Sequence, residues 1–318
     1  RLSSGSHNRS PSGSVPVKSR ATALGAGTVL NALATGRGSA FAIDAETTAT
    51  VSLASDAGGD VTGKIAGDPD LDTELIERCV ELTVARYGPD SAPGGHVRTD
   101  SEVPAAAGLK SSSAAANATV LATLDALDVP VSDDPGRSRD PAADDPRVDR
   151  VDACRLGVTA ARDAGVTVTG AFDDASASML GGVTVTDNDE DALLSREAVE
   201  WDVLVWTPPE RAYSADADVE RCGAVAPVAD LVTELALDGR YAEAMTVNGL
   251  AFSAALGFSP DPAVEAMDDA AGVSLSGTGP SVVAVGDRRR LEQVRDHWDE
   301  REGTTWLTTT RTDGAQTT

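Results

Sequence analysis

Two rhythms of apolar and polar positions divide the chain between Ala21 and Thr310. Short apolar runs predict strands at Ala23–Leu33, Ala40–Asp44 and Thr47–Leu53, with Gly36-Arg37-Gly38 turning the chain between the first two. From Asp72 to Tyr87 the period changes. Leu75, Ile76, Cys79, Leu82 and Val84 fall mostly on one face, as a half-buried helix requires, and Gly88-Pro89 ends it. Gly94–Thr99 reads as a strand and Ala114–Leu127 as a helix rich in small residues. Asp128–Arg147, dense in Asp, Pro, Arg and Ser, predicts a solvated loop. A helix over about Pro146–Ala164 carries Val148, Val151, Cys154 and Val158 as its stripe, and Gly165 stops it. Strands are expected at Val166–Thr169, Val183–Thr186 and Trp201–Thr207. The acidic stretch Asp187–Arg196 between the last two reads as a domain junction. Helices should follow at about Val228–Asp238, Arg240–Leu256 and Asp261–Ala270, then a hairpin over Val273–Val285. Arg288–Arg301 closes the helices and Thr304–Thr310 the strands, leaving a frayed tail from Thr312. The first twenty residues, rich in Ser, Gly and Arg, are set aside as a disordered extension.

Composition narrows the classes. With 318 residues, 41% of them apolar, the chain can build one large domain or two smaller ones. A formal charge of −25, spread along the chain, predicts an acidic, lysine-poor surface of the kind that tolerates concentrated salt. It disfavours nucleic acid as a partner but not a nucleotide, which needs only a local positive pocket. The three cysteines and three histidines are scattered, with no zinc spacing and no basis for a histidine triad. A reduced, cytoplasmic setting is expected. No apolar run reaches the roughly 18 residues of a membrane span.

Three stretches carry candidate chemistry. In Pro104-Ala105-Ala106-Ala107-Gly108-Leu109-Lys110-Ser111-Ser112-Ser113-Ala114, a small-residue loop runs from a strand into a helix. Gly108 lets the backbone turn, the serines can cap the helix, and a helix start attracts phosphate. Only Lys18, Lys64 and Lys110 are lysines, so the lysine inside this loop reads as a point charge for a phosphate. In the second stretch, adjacent Asp173 and Asp174 precede Gly181-Gly182. On their own they fit either an exposed turn or a buried pair held by Mg²⁺, a lysine or a substrate hydroxyl. The third is the Gly277-Thr278-Gly279 turn, whose N–H groups can cup an anion. No Walker A pattern and no Rossmann fingerprint occurs.

Pro104–Ala114 resembles the phosphate-binding motif of the GHMP kinases, the galactokinase, homoserine, mevalonate and phosphomevalonate kinase superfamily. Ser101-Glu102-Val103-Pro104 followed by Gly108–Asn117 resembles the archaeal shikimate kinase branch in particular, as does Gly25–Asp44. The Gly277-Thr278-Gly279 turn resembles the third motif, which faces the phosphate loop across the nucleotide. The resemblance implies an α+β fold of two domains, a β/α half over 21–190 and a ferredoxin-like half over 191–318. It implies ATP and Mg²⁺ as cofactors and a kinase that phosphorylates the 3-hydroxyl of shikimate in aromatic amino-acid biosynthesis. Residues 104–114 and 277–279 would hold the nucleotide, with Lys110 on phosphate. One of Ser111, Ser112 or Ser113 would ligate Mg²⁺, with Glu102 a further candidate. Mevalonate-kinase-like members carry a catalytic Asp at this distance before a Gly-Gly pair, so the resemblance implies that role for Asp174. Asn31, Arg37, Asp44 and Asp173 would contact substrate. Two alternatives stay open: a GHMP kinase for another small alcohol, and a non-catalytic nucleotide or sugar sensor.

Overall fold

The computed structural model describes residues 16–54, 59–67, 71–133, 147–167, 169–212 and 217–318. Two long antiparallel strands, β1 (Val17–Leu30) and β2 (Arg37–Ala54), form its spine. Then come β3 (Val61–Ile65), α1 (Glu74–Tyr87), β4 (Gly94–Ser101) and α2 (Ser111–Ala126). They are followed by the short β5 (Val131–Ser132) and β6 (Val148–Asp149), α3 (Arg150–Asp163), α4 (Phe172–Leu180), β7 (Val183–Asp187) and β8 (Ala192–Glu197). The second half runs β9 (Asp202–Thr207), α5 (Val219–Gly223), α6 (Ala226–Leu237), α7 (Tyr241–Leu256), α8 (Asp261–Ala266), β10 (Gly272–Leu275), β11 (Val282–Gly286), α9 (Arg288–Trp298), β12 (Thr304–Thr309) and β13 (Gln316–Thr317).

Along one edge β2 pairs with β1. Its other edge is shared by β4, over Thr47–Ala54, and β7, over Arg37–Phe41. Helix α2 crosses this sheet and is buried from Ala114 to Leu124 save Ala115, because alanine, valine and leucine cover every side of it. The second sheet has the order β10-β11-β9-β12, all antiparallel. With helices in both crossovers this is the split βαβ arrangement of a ferredoxin-like unit. One core lies between the first sheet and α1–α4. Another joins the halves, packing Val29, Phe41, Ile43 and Leu109 with Val203, Met245, Phe252 and Val283. Among the described residues no helix is long and apolar enough to cross a membrane, and all three cysteines are buried free thiols.

The structure departs from the expectations at five places. Val17–Arg20 belong to β1, so the expected extension narrows to residues 1–15, which lie outside the described residues. Residues 134–146 of the expected acidic loop, Pro146 included, also lie outside them, and α3 starts at Arg150. Val166, Thr167 and Thr169 lie in a loop, not a strand, and Val168 is outside the described residues. The acidic stretch Asp187–Arg196 is no junction but the β7–β8 hairpin of the first sheet, and the chain crosses to the second half only at residues 198–201. The expected frayed tail is ordered: β13 pairs with β1, with Ala21 opposite Thr317. Backbone partners on both sides, rather than side-chain hydrophobicity, hold that segment. Apolar periodicity therefore gives no sign of it.

Candidate active site

The phosphate loop leaves β4 and reaches α2 through a backbone of alternating hand. Ala106, Gly108 and Lys110 have φ of +54°, +77° and +67°, while Ala107 and Leu109 between them do not. Such alternation turns successive N–H groups toward one side and makes an anion-binding hollow. Two of the three are not glycine, and each left-handed residue of that kind costs about 1 kcal/mol, strain that is found at functional sites. Leu109 and Ala107 point into the core as anchors. The serines do not cap α2. Lys110 occupies the cap position with no side-chain cap bond, and Ser111 is the first helical residue. The helix start is thus left without a side-chain partner, as a phosphate site needs.

The Gly-Thr-Gly turn supports this loop by direct contact. Ser276 Oγ donates to Gly108 O at 2.8 Å. A Cβ on Gly108 would stand 2.1 Å from Ser276 O, so only glycine fits. Gly277 N donates to Thr28 Oγ1 at 2.7 Å, and Gly279 N to Ser276 O at 2.9 Å. These amides are therefore engaged within the protein rather than free to cup an anion. Gly277 and Thr278 line the cleft, whereas Gly279 packs against Phe258. Asn31 is committed similarly: its Nδ2 donates to Gly277 O at 2.8 Å and its Oδ1 accepts from Leu33 N at 2.9 Å. It lines the cleft as a brace between the halves, not as a free substrate group.

Helix α4 brings the acids in from the opposite wall. Lys110 Nζ lies 2.8 Å from Asp174 Oδ1, with both side chains largely buried. The lysine expected on phosphate instead holds the carboxylate at the start of α2, wedged beside the Gly277 Cα. Asp173, 5% exposed, packs against the Gly38 Cα and accepts a 2.7 Å bond from Asn188 Nδ2. Burial, reinforced by the charge of Asp174, pushes the Asp173 carboxyl up to about 7, against the opposing pull of Lys110 and the Asn188 hydrogen bond. Asn117 Nδ2 donates to Ala175 O at 2.8 Å, tying α2 to α4.

These groups surround a cleft of about 370 Å³. One end is apolar, with Ile65, Leu71, Leu75 and Ile76. Asp173, Asp174, Lys110 and Arg211 give the lining its charges, and Ser111 and Ser112 also line it; the Arg211 segment lies against the phosphate loop, Ala212 N donating to Ala106 O at 3.2 Å. Ser113 faces a smaller cavity that Ser112 and Asp174 also border. Four expected groups, Asp44, Glu102, Pro104 and Arg37, stand elsewhere. Asp44 points to the far face of β2, because strand neighbours alternate, and pairs with Arg311 at 2.8 Å. Glu102 accepts from Glu46 N at 3.2 Å and shares a separate groove with Asp44 and Pro104. Arg37 is half-exposed beside its cross-strand partner Asp187 and does not line the cleft. Neither motif nor period singles out Arg211 and Asn188. Arg211 sits in an irregular segment just beyond Pro208-Pro209, and Asn188 acquires meaning only once the β7–β8 hairpin folds back on α4.

Residues 74–139 match the GHMP kinases N terminal domain. A crystal structure of homoserine kinase from Cytophaga hutchinsonii superposes with a TM-score of 0.69 over 100% of both chains at 16% identity. The mevalonate kinase of Methanococcus jannaschii does so with a TM-score of 0.66 at 12% identity, over 94% of this chain and 99% of that one. The fold is thus that of a GHMP kinase, the class of ATP-dependent small-molecule phosphotransferases. A shikimate kinase of Halobacterium salinarum is 64% identical over 299 residues, 94% of this chain and 99% of the relative. One from Methanothrix thermoacetophila is 50% identical over 284 residues, 89% of this chain and 90% of the relative. The chain belongs to the archaeal shikimate kinase family within the GHMP kinases.

Proposed function

We propose that this protein transfers the γ-phosphoryl group of ATP to the 3-hydroxyl of shikimate. The observation that carries the reading is Asp174, paired to Lys110 in the cleft beside the phosphate loop, in a chain 64% identical over nearly its whole length to a shikimate kinase. The triphosphate lies in the hollow of residues 106–110 against the start of α2, and the base occupies the apolar end among Ile65, Leu71 and Leu75. Asp174 accepts the proton of the substrate hydroxyl as its oxygen bonds to the γ-phosphorus and the bond to the β-phosphate oxygen breaks, releasing ADP. Lys110 holds Asp174 in place and, once a nucleotide is bound, is within reach of its terminal phosphate. Asp173 and Asn188 fix the first turn of α4.

The donor set fits Mg²⁺. Ser111, Ser112 and Asp174 offer hard oxygens around the cleft, and Mg²⁺ in phosphoryl-transfer sites takes one or two protein ligands plus phosphate. Among the described residues no group of three or more His, Cys, Asp or Glu is placed to hold a metal ion. Bound there, the ion would neutralise charge on the β- and γ-phosphates. Glu102, in the other groove, is not part of this set.

ADP release with Mg-ATP in molar KCl tests the function, with shikimate, homoserine and mevalonate compared. Shikimate-dependent turnover is expected. Turnover with another alcohol only would keep the kinase and discard the substrate, and none by folded, ATP-binding protein would favour the sensor. We infer that Arg211, an exposed cation on the cleft lining, meets the shikimate carboxylate. A charge-assisted hydrogen bond is worth about 1.5–3 kcal/mol, so Arg211→Ala should raise the KM for shikimate about 10- to 100-fold. A matching rise in the KM for ATP would place Arg211 on the nucleotide instead.

A further inference from the structure

The helix that presents Asp173 and Asp174 is held at its other end by the last residues of the chain. Helix C-termini leave carbonyls without partners. In α4 those carbonyls are taken up by groups from far along the sequence. Met179 O accepts from Ala315 N at 3.0 Å. Leu180 O and Gly181 O accept from the Arg196 guanidinium at 2.7 and 2.9 Å, and the same guanidinium donates to Thr312 O at 2.8 Å. Gly182 N donates to Arg311 O at 2.7 Å, and Arg311 N to Ala42 O at 3.1 Å. The contact is backbone on backbone. A Cβ on Gly314 would stand 2.1 Å from Met179 O, and one on Gly181 would stand 2.7 Å from Asp313 O. Beyond it Ala315 is buried, its carbonyl accepts from Arg150, and Thr318 N donates to Arg20 O at 2.8 Å. The Arg311 side chain adds bonds to Asp44, Glu46 and Asp313.

We propose that residues 311–318, latched by Arg196, are a positioning clamp that sets where Asp174 stands against the phosphate loop; the inference rests on the reading of Asp174 as the group that orients the hydroxyl. The clamp grips one end of α4 and the acids occupy the other. From Asp174 to Leu180 the helix rises about 9 Å, a length over which it moves as a rigid body. The acid end is tied by side chains, Asn188 to Asp173 and Asn117 to Ala175, and the clamp supplies the backbone anchor at the opposite end of the helix. A reacting group misplaced by about 1 Å can lose about 100-fold in rate. Because residues 311–318 continue directly from β12, the clamp also ties the second sheet to the helix that carries the acids.

The test is Arg196→Gln, Arg196→Lys and Gly314→Ala in the full chain, assayed in molar KCl for kcat and both KM values and by amide hydrogen exchange. Gln removes the fork, Lys keeps charge but not its geometry, and Ala pushes the strap off Met179. In R196Q and G314A, kcat should fall about 10- to 100-fold with the KM for ATP within about twofold, and R196K should lie between. Exchange should rise at Ala171–Ser178 as well as at the strap. Wild-type kcat in folded R196Q and G314A would overturn the proposal. So would faster exchange confined to residues 311–318, the result expected if the strap only closes the edge of the sheet. Exchange needs no substrate, so it decides the clamp even if shikimate proves to be the wrong alcohol.

Discussion

Asp174→Asn lowers kcat by about 10³-fold while the KM for ATP stays close to that of the wild-type protein. General-base assistance contributes about 10²- to 10⁴-fold, and the middle of that range is about 4 kcal/mol of barrier. Asparagine keeps the shape of the side chain and can still accept a hydrogen bond from Lys110, so the site keeps its form and loses the proton acceptor. In the proposed reading the nucleotide sits on the loop backbone and the start of α2, whose amides the substitution leaves unchanged. Single-turnover phosphoryl transfer together with ATP titration separates the two. Turnover within about tenfold of wild type would remove Asp174 from the proton-transfer step.

Asp173→Asn has the opposite sign: it stabilises the protein. Burial disfavours the charge of this carboxyl and Asp174 stands next to it, which pushes it up from an ordinary 3.8 to about 7. For an acid whose folded value is raised, the stabilising contribution is complete below the unfolded value. It is lost as pH rises through the folded one. Wild-type protein should therefore lose stability between about pH 4 and pH 7 on account of this group, and the asparagine variant should not. The raised value makes the gain largest above the folded value, on the order of a few kcal/mol at pH 8. Salt screens buried charges weakly, so the gain should persist in molar KCl. Unfolding curves of both proteins at about pH 5 and about pH 8 check it, and a constant difference between them would show that Asp173 is ionised throughout.

Local sequence carries much of this site. The loop at residues 104–114, its place between strand and helix, and Asp174 seven positions before Gly181 all stand where the motifs put them. The features that local sequence does not carry depend on contacts between distant segments. Nothing local to Asp44 says that it faces Arg311, 267 positions later, instead of the cleft. Asn31 looks like a polar group near a substrate loop until Gly277, 246 positions away, takes its amide. The left-handed turns at Ala106 and Lys110 run against the preferences of both residue types, so propensity alone would not place them. The serines look like caps because serine usually is one, whereas this helix start is kept open.

The pairing of β13 with β1 has a consequence for how the protein is made. The strand that completes one edge of the first sheet is drawn from residues that follow the whole second half in sequence, and the partners of the α4 carbonyls arrive with it. Domains commonly fold one after another as the chain emerges, the N-terminal one first. Here the N-terminal unit stays unfinished until residues 311–318, beyond the whole second half, have been translated. A nascent chain can assemble the phosphate loop and its helix early, but the wall carrying the acids is secured only once residues 311–318 have left the ribosome.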